Sequence, residues 1–216
     1  MKTLRIASNE AFSAMVAEDL RSLARQKEGA LHIALPGGRS AAPIVDALLA
    51  IPDLLVRITL YLVDERLEGE RNVDTLLAAG LKDAFDRTLM EKHQLRIPSP
   101  DSELSSEPFD RVYLGIGEDG HFASLFPGSF TTEGSEQVIL VTDSPKAPKR
   151  RATLSYFGFE TLAKGTEVFL LFFGESKREP LHRMLHTSEG PLTLPCAFFK
   201  ELDFKLTVVT DLKERA

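Results

Sequence analysis

The residues best suited to chemistry lie close together in GEDGHFASLF, residues 117–126. His121 is the one side chain in this segment that exchanges a proton near neutral pH, and Asp119 and Gly120 precede it. The apolar run Val112–Leu114 before the segment predicts a buried strand that ends at Gly115. Ligands of open α/β sheets bind at the carboxyl ends of the strands. The segment therefore predicts a proton-transfer site at a sheet edge.

The same segment also satisfies the dinucleotide fingerprint G-x-G-x-x-G. Its three glycines are Gly115, Gly117 and Gly120, and Asp143 ends the next apolar run. The fingerprint needs a long crossover helix, whereas residues 121–136 contain Pro127, Gly128 and Gly134 and leave room for a short helix only. We therefore expect neither NAD nor NADP to bind.

A second predicted strand end, LPGGRSAAP at residues 35–43, combines a glycine turn with a helix start. Such a turn offers free backbone N–H groups and the positive end of a helix dipole, which suit a phosphate. Its candidate ligands are Gly37, Gly38, Arg39 and Ser40. The lysine spacing of a nucleotide P-loop is absent, and an ordinary strand-to-helix turn is the alternative interpretation.

Charged residues also follow a third predicted strand, in VDER at residues 63–66. Arg66 could hold a phosphate or carboxylate bidentately, and Asp64 could orient Arg66 or the histidine. The alternative is a solvated charged turn. Further basic residues stand near predicted element ends, although each taken alone is compatible with a solvent-exposed side chain: Lys146, Lys149, Arg150, Arg151 and Lys177.

Composition limits the function further. The chain has 216 residues, 43% of them hydrophobic, which fits a single α/β domain spanning residues 1–216. Its net charge of −6 argues against a nucleic-acid surface. A single cysteine, Cys196, excludes an internal disulfide and a Cys-rich metal site. Without a signal peptide or a long apolar run, we expect a cytoplasmic protein with no membrane partner.

Hydrophobic periodicity predicts strands that alternate with helices. This alternation indicates a mainly parallel, Rossmann-like sheet with helices on both faces. The predicted strands are 3–7, 31–35, 56–63, 95–97, 112–114, 137–142, 168–173 and 205–210. The predicted helices are one that follows an N-cap at Ser8 or Asn9 and runs to about Gln26, one around 44–49 that ends at Pro52, and 72–81, 155–164 and 175–186.

Taken together, these motifs resemble one family. LGIGEDGHFASLFPG is similar to the 6-phosphogluconolactonase signature LGxGxDGHTASLFPG, and PGGRSAAPIVDALL, VDER, KRRATLSYFGFETLAKG and PLTLPCAFF extend the similarity over most of the chain. The related glucosamine-6-phosphate deaminases share the fold and the glycine turn, but usually have GHIAFNEP where this chain has GHFASLFPG. The resemblance therefore implies the glucosamine-6-phosphate isomerase-like fold and favours the lactonases.

The resemblance also implies roles for individual residues. His121 would be the acid/base, supported by Asp119 and Gly120, and Asp64 and Arg66 would belong to the active-site wall. The turn of Gly37, Gly38, Arg39 and Ser40 would lie beside the substrate's phosphate, together with Arg151 and Lys177. Phe122 in place of threonine, Ala41 in place of proline and a short segment between Arg66 and Asn72 are departures that we expect at the rim of the site.

The implied reaction is the hydrolysis of 6-phospho-D-glucono-1,5-lactone in the oxidative pentose phosphate pathway. The implied partner is this phosphorylated sugar lactone, with no cofactor and no metal. His182 and His186 stand at i, i+4 but lack the glutamate of H-E-x-x-H, so we interpret them as a helix face. Two alternatives stay open: a deaminase acting on an amino-sugar phosphate, and a non-catalytic sugar-phosphate sensor on the same scaffold.

Overall fold

A computed structural model describes residues 1–100, 102–131, 134–201 and 203–213. The strands within these residues are β1 Lys2–Arg5, β2 Leu31–Leu35, β3 Ile58–Leu62, β4 Asp64–Arg66, β5 Leu95–Arg96, β6 Arg111–Gly115, β7 Val138–Val141, β8 Arg151–Leu154, β9 Glu167–Phe172 and β10 Lys205–Thr210. The α-helices are α1 Asn9–Gln26, α2 Ala42–Leu49, α3 Pro52–Leu55, α4 Asn72–Leu76, α5 Lys82–Asp86, α6 Tyr156–Ala163, α7 Arg178–His186 and α8 Phe198–Glu201.

Seven strands form one sheet in the order β1-β10-β9-β6-β2-β3-β5. Every neighbouring pair in it is parallel, so the carboxyl ends of all seven strands meet at one edge. The strands β2, β6 and β9 are almost wholly buried apolar runs, as expected for a parallel sheet covered on both faces. The prediction of a mainly parallel α/β fold is confirmed.

The two faces of the sheet carry separate hydrophobic clusters because side chains alternate along each strand. Along β6, Val112 and Leu114 point into one cluster, while Tyr113 between them points into the other. Helices α1 and α2 cover the Tyr113 face, and α6, α7 and α8 cover the opposite one. The predicted helices on both faces are therefore present.

A second, three-stranded antiparallel sheet of order β4-β8-β7 lies beyond the end of β3. Sequence periodicity did not predict this sheet. Within the predicted strand 56–63, β3 ends at Leu62. The following residues Asp64–Arg66 pair with β8, which comes from a distant part of the chain. The partner is set by tertiary contacts, so a local pattern could not reveal it.

Helix ends differ from the predictions, most clearly around Pro52 and after Leu76. Helix α2 ends at Leu49, and Pro52 is the first residue of α3. Proline fits this position because the backbone N–H groups of a first helical turn have no partner within the helix. The helix predicted at 72–81 continues through a π-helical segment, Leu77–Leu81, into α5. Across the described part of the chain, no helix is both long enough and apolar enough to cross a membrane.

Candidate active site

A cleft of about 570 Å³ opens at the carboxyl ends of β2, β6 and β9. Its lining includes five of the residues predicted from sequence: Gly37, Arg39, Ser40, His121 and Lys177. Lys146, which stands in the basic loop before β8, lines it as well. The parallel sheet brings the first five together because each follows the carboxyl end of β2, β6 or β9, whereas Lys146 comes from the loop between β7 and β8 of the smaller sheet.

His121 and Asp119 form a hydrogen-bonded pair beside this cleft. The Nδ1 atom of His121 contacts Oδ1 of Asp119, and the backbone N–H of His121 donates to the same oxygen at 3.2 Å. A carboxylate can only accept, so Nδ1 carries a proton, and in the neutral imidazole Nε2 then has the lone pair. Burial acts to raise the pKa of Asp119, but the hydrogen bond and charge of His121 outweigh it and lower that pKa. The pair holds an imidazole ready to accept a proton at Nε2.

The three glycines of the apparent dinucleotide fingerprint each make room for a neighbour. A Cβ on Gly117 would lie 2.0 Å from two atoms of the His121 ring, and a Cβ on Gly115 would lie 2.8 Å from Oγ of Ser40. Gly120 has a φ of +85°, and a Cβ there would meet Leu194 at 2.3 Å. These glycines allow the histidine, the serine and a tight turn to pack closely. The expected absence of dinucleotide binding stays a prediction.

The chain after His121 turns sharply instead of forming the predicted short helix. Bridges join Phe122 to Ile116 and to Leu125, and Ala123 has a φ of +49°. Phe122 is fully buried and packs against the rings of Tyr156, Phe159 and Phe199. Its expected place at the rim is therefore wrong: His121 faces the cleft, and the next side chain enters the core.

The glycine turn after β2 is fitted closely against helix α4. Gly38 has a φ of +67°, and residues Gly38–Ser40 form a 3-10 turn that leads into α2. A Cβ on Gly37 would lie 2.2 Å from the side chain of Asn72. The Asn72 amide in turn donates to the backbone oxygen of Asp64 at 3.0 Å. Asn72 thus connects the glycine turn to β4.

The three charged residues of VDER have different surroundings. Asp64 is buried and accepts a 2.7 Å hydrogen bond from Ser124, and burial raises its pKa against the opposing effects of Ser124 and Arg151. Glu65 is fully buried and accepts hydrogen bonds from the backbone N–H groups of Asn72 at 2.7 Å and Val73 at 3.0 Å. Its carboxylate therefore binds the N-terminus of α4.

Arg66 closes the short segment that follows β4. Its Nη1 donates to the backbone oxygen of Glu70 at 3.1 Å, while its buried Nε has no hydrogen-bond partner among the described residues. Arg66 and Arg151 are direct cross-strand neighbours in the small sheet. Neither residue belongs to the lining of the cleft described above.

Three basic side chains, Arg39, Lys146 and Lys177, form what we call the cation cluster of the cleft. They come from the glycine turn, from the loop before β8, and from the 3-10 turn Glu175–Lys177. Burial and then the like charges of Lys146 and Arg39 lower the pKa of Lys177. A bound anion would offset this mutual repulsion, because opposite charges a few ångströms apart attract.

Sequence reasoning missed several residues that support the site. Glu65, Ser124 and the Leu194–Cys196 segment lie within motifs that carry the family resemblance, but their roles depend on contacts that those motifs do not specify. The N–H of Cys196 donates to the oxygen of Gly120 at 3.0 Å, below the His121 turn. Burial raises the pKa of Cys196 to about 12, so its thiol stays protonated.

The two histidines on α7 lie apart from this site. His182 and His186 are exposed, with ring centroids 4.8 Å apart, as the i, i+4 spacing predicts. Within the described ranges, no three His, Cys, Asp or Glu side chains are grouped closely enough to hold a metal ion.

Comparison with known proteins gives a consistent picture. The sequence model of the family described as "Glucosamine-6-phosphate isomerases/6-phosphogluconolactonase" matches residues 7–208. A 6-phosphogluconolactonase of Chlamydia muridarum is 28% identical over 181 residues, which are 74% of this chain and 68% of that protein.

Solved structures share the fold. The 6-phosphogluconolactonase of Thermotoga maritima superposes with a TM-score of 0.75 at 22% identity, covering 96% of each chain. A monomeric glucosamine-6-phosphate deaminase superposes with a TM-score of 0.69 at 17% identity, covering 97% of each chain.

Proposed function

Since this chain belongs to the family of glucosamine-6-phosphate isomerases and 6-phosphogluconolactonases, we propose that it hydrolyses 6-phospho-D-glucono-1,5-lactone to 6-phospho-D-gluconate. The observation that carries this proposal is the Asp119–His121 pair, which faces a cleft containing the cation cluster. A base and a cluster of positive charge in one cleft match a phosphorylated ester. The GHFASLFPG segment favours the lactonase over the deaminase.

In the proposed reaction His121 acts first as a base. Its Nε2 takes a proton from a water molecule, whose oxygen bonds to the lactone carbonyl carbon. The tetrahedral intermediate then collapses, the bond from carbon to the ring oxygen breaks, and the imidazolium returns the proton to that oxygen. Asp119 keeps the ring oriented and stabilises the imidazolium through Nδ1. A positioned base contributes about 10²–10⁴-fold, and the lactone carbonyl is already electrophilic.

The phosphate of the substrate would lie among the cation cluster and the glycine turn. Gly37 lines the cleft and Gly38 continues the same turn, Ser40 adds a hydroxyl, and Arg39 and Lys177 add charge. The resemblance also assigns Asp64 and Arg66 to the wall of the site, but neither belongs to the lining of this cleft. Operation in the pentose phosphate pathway, as a single cytoplasmic domain without a cofactor, stays a prediction.

A lactonase assay tests the proposal. Hydrolysis of the phosphorylated lactone, coupled to 6-phosphogluconate dehydrogenase and corrected for the spontaneous rate, should be strongly accelerated. His121→Asn should lose about 10²-fold or more in turnover, while His182→Asn, an exposed histidine outside the cleft, should change nothing. Ammonia released from glucosamine 6-phosphate would instead indicate the deaminase. Binding of 6-phosphogluconate with no acceleration would indicate a sensor.

A further inference from the structure

Lys146 reaches the cleft from a compact loop, residues 143–149, that precedes β8. The buried Ser144 closes the loop: its N–H donates to the oxygen of Lys149 at 3.0 Å, and its Oγ accepts from the N–H of Lys146 at 3.2 Å. The Lys146 ammonium lies 3.5 Å from Glu118, next to the His121 turn. The loop therefore holds a basic side chain beside the proposed reaction centre.

The guanidinium of Arg151 binds the backbone of this loop. Nη2 donates to the oxygens of Lys146 and Ala147, both at 3.2 Å, and Nε donates to the oxygen of Pro148 at 3.1 Å. Three consecutive carbonyl groups thus converge on one side chain. Arginine suits this task because its donors form a rigid planar fork.

Contacts on its other side fix Arg151 within the protein. Nη1 lies 3.5 Å from Oγ of Ser124 and 3.9 Å from Oδ2 of Asp64, and the guanidinium carbon lies 5.9 Å from the Phe126 ring centroid. Only 7% of Arg151 is exposed. Its N–H groups are therefore directed at protein atoms, whereas Lys146 has an ammonium at the cleft.

We propose that Lys146 is a phosphate-binding residue of the cleft, and that Arg151 is a positioning residue that acts on the phosphate through the Lys146 loop. This inference rests on the proposed function, since it concerns the phosphate end of the same substrate. It changes the role that the family resemblance implies for Arg151, from direct ligand to support of the loop. It also selects Lys146 from the basic residues that the sequence placed near element ends.

A double-mutant cycle tests the inference. Calorimetric titration with 6-phosphogluconate and with inorganic phosphate measures affinity for the wild type, Lys146→Ala, Arg151→Ala and the double variant. Lys146→Ala should weaken both ligands by about tenfold, the scale of one charge-assisted contact. Arg151→Ala should weaken them equally, and the double variant no further, because both changes remove the same contact. Losses that multiply in the double variant would make Arg151 a direct ligand and overturn the inference.

Matched variants separate positioning from general destabilisation. Lys149→Ala removes a lysine from the same loop whose ammonium pairs with Asp143 at 2.9 Å outside the cleft, and it should leave both affinities unchanged. Arg151→Lys keeps the charge beside Asp64 but loses the planar fork, so it should fold and still bind like Lys146→Ala. Wild-type affinity in either Arg151→Lys or Lys146→Ala would refute the proposal.

The same experiment distinguishes this inference from the proposed function. Phosphate affinity is measured without turnover, so it can depend on Lys146 and Arg151 even if the lactone is not hydrolysed. Conversely, if the enzyme hydrolyses the lactone but Lys146→Ala binds phosphate as tightly as the wild type, the proposed function stands and the inference is wrong. For the active enzyme, KM for the phosphorylated lactone should rise in both single variants, whereas Lys149→Ala should leave it unchanged.

Discussion

The Nδ1 atom of His121 is held by the carboxylate of Asp119, two residues earlier in the chain. The intervening Gly120 has a φ of +85°, which allows the backbone to turn back so tightly. The same carboxylate oxygen also accepts the backbone N–H of His121. One short turn therefore sets both the tautomer of the neutral imidazole and its direction.

The first prediction concerns this pair. Asp119→Ala should lower turnover of the phosphorylated lactone by about 10²-fold, because the imidazole loses its orientation and its partner for the positive charge. Affinity for 6-phosphogluconate should change little, since Asp119 is not a phosphate ligand. The exposed Asp46 on α2 provides the control, and Asp46→Ala should leave turnover intact. Equal turnover in Asp119→Ala and the wild type would remove Asp119 from the mechanism.

The second prediction follows from the lowered pKa of Asp119. A carboxylate whose pKa is lower in the folded state stabilises the fold at pH values above its unfolded pKa of about 3.9. This contribution is lost as the pH falls below that value. Urea unfolding should therefore show Asp119→Asn less stable than the wild type at pH 6, with the difference shrinking between about pH 4 and pH 2. A difference that grows with acid would contradict the assignment.

The third prediction tests the space beside His121. In Gly117→Ala the new methyl group would overlap the imidazole, 2.0 Å from Nδ1 and Cε1, so the ring must leave its position. Turnover should fall by about 10²-fold, since a displacement of about 1 Å can cost that much. Gly190→Ala is the control, because its Cβ would make an ordinary 3.5 Å contact with Glu201. Turnover is compared per folded molecule, with the folded fraction measured by circular dichroism. Wild-type turnover per folded Gly117→Ala molecule would show that the change affects stability alone and would contradict the prediction.

The fourth prediction concerns Glu65, which anchors α4 and through Asn72 the glycine turn. Glu65→Gln should lower the free energy of unfolding by about 2–4 kcal/mol, because an amide nitrogen would face backbone N–H groups in a buried position. KM for the phosphorylated lactone should also rise as the turn loosens. Glu70→Gln, an exposed change a few residues away, should alter neither quantity. Unchanged stability in Glu65→Gln would contradict the capping role.

Local patterns determined much of this protein. The strands Leu31–Leu35 and Lys205–Thr210 match their predicted bounds, because apolar spacing along the chain reports burial directly. The helix Asn9–Gln26 follows the first of its two predicted N-caps, Ser8. The position of His121 after a buried strand also followed from sequence. So did its place beside the glycine turn, since parallel strands bring their carboxyl ends to one edge.

Only the tertiary structure decided what each charged residue contacts. Arg151 and Lys177 look equivalent as basic residues near element ends, yet Arg151 binds loop carbonyls and Lys177 lines the cleft. Asp64 and Glu65 are adjacent, but one accepts from Ser124 and the other from the start of α4. A charge is satisfied by whichever groups the fold brings within hydrogen-bonding distance. Those partners lie far apart in sequence, so no local pattern specifies them.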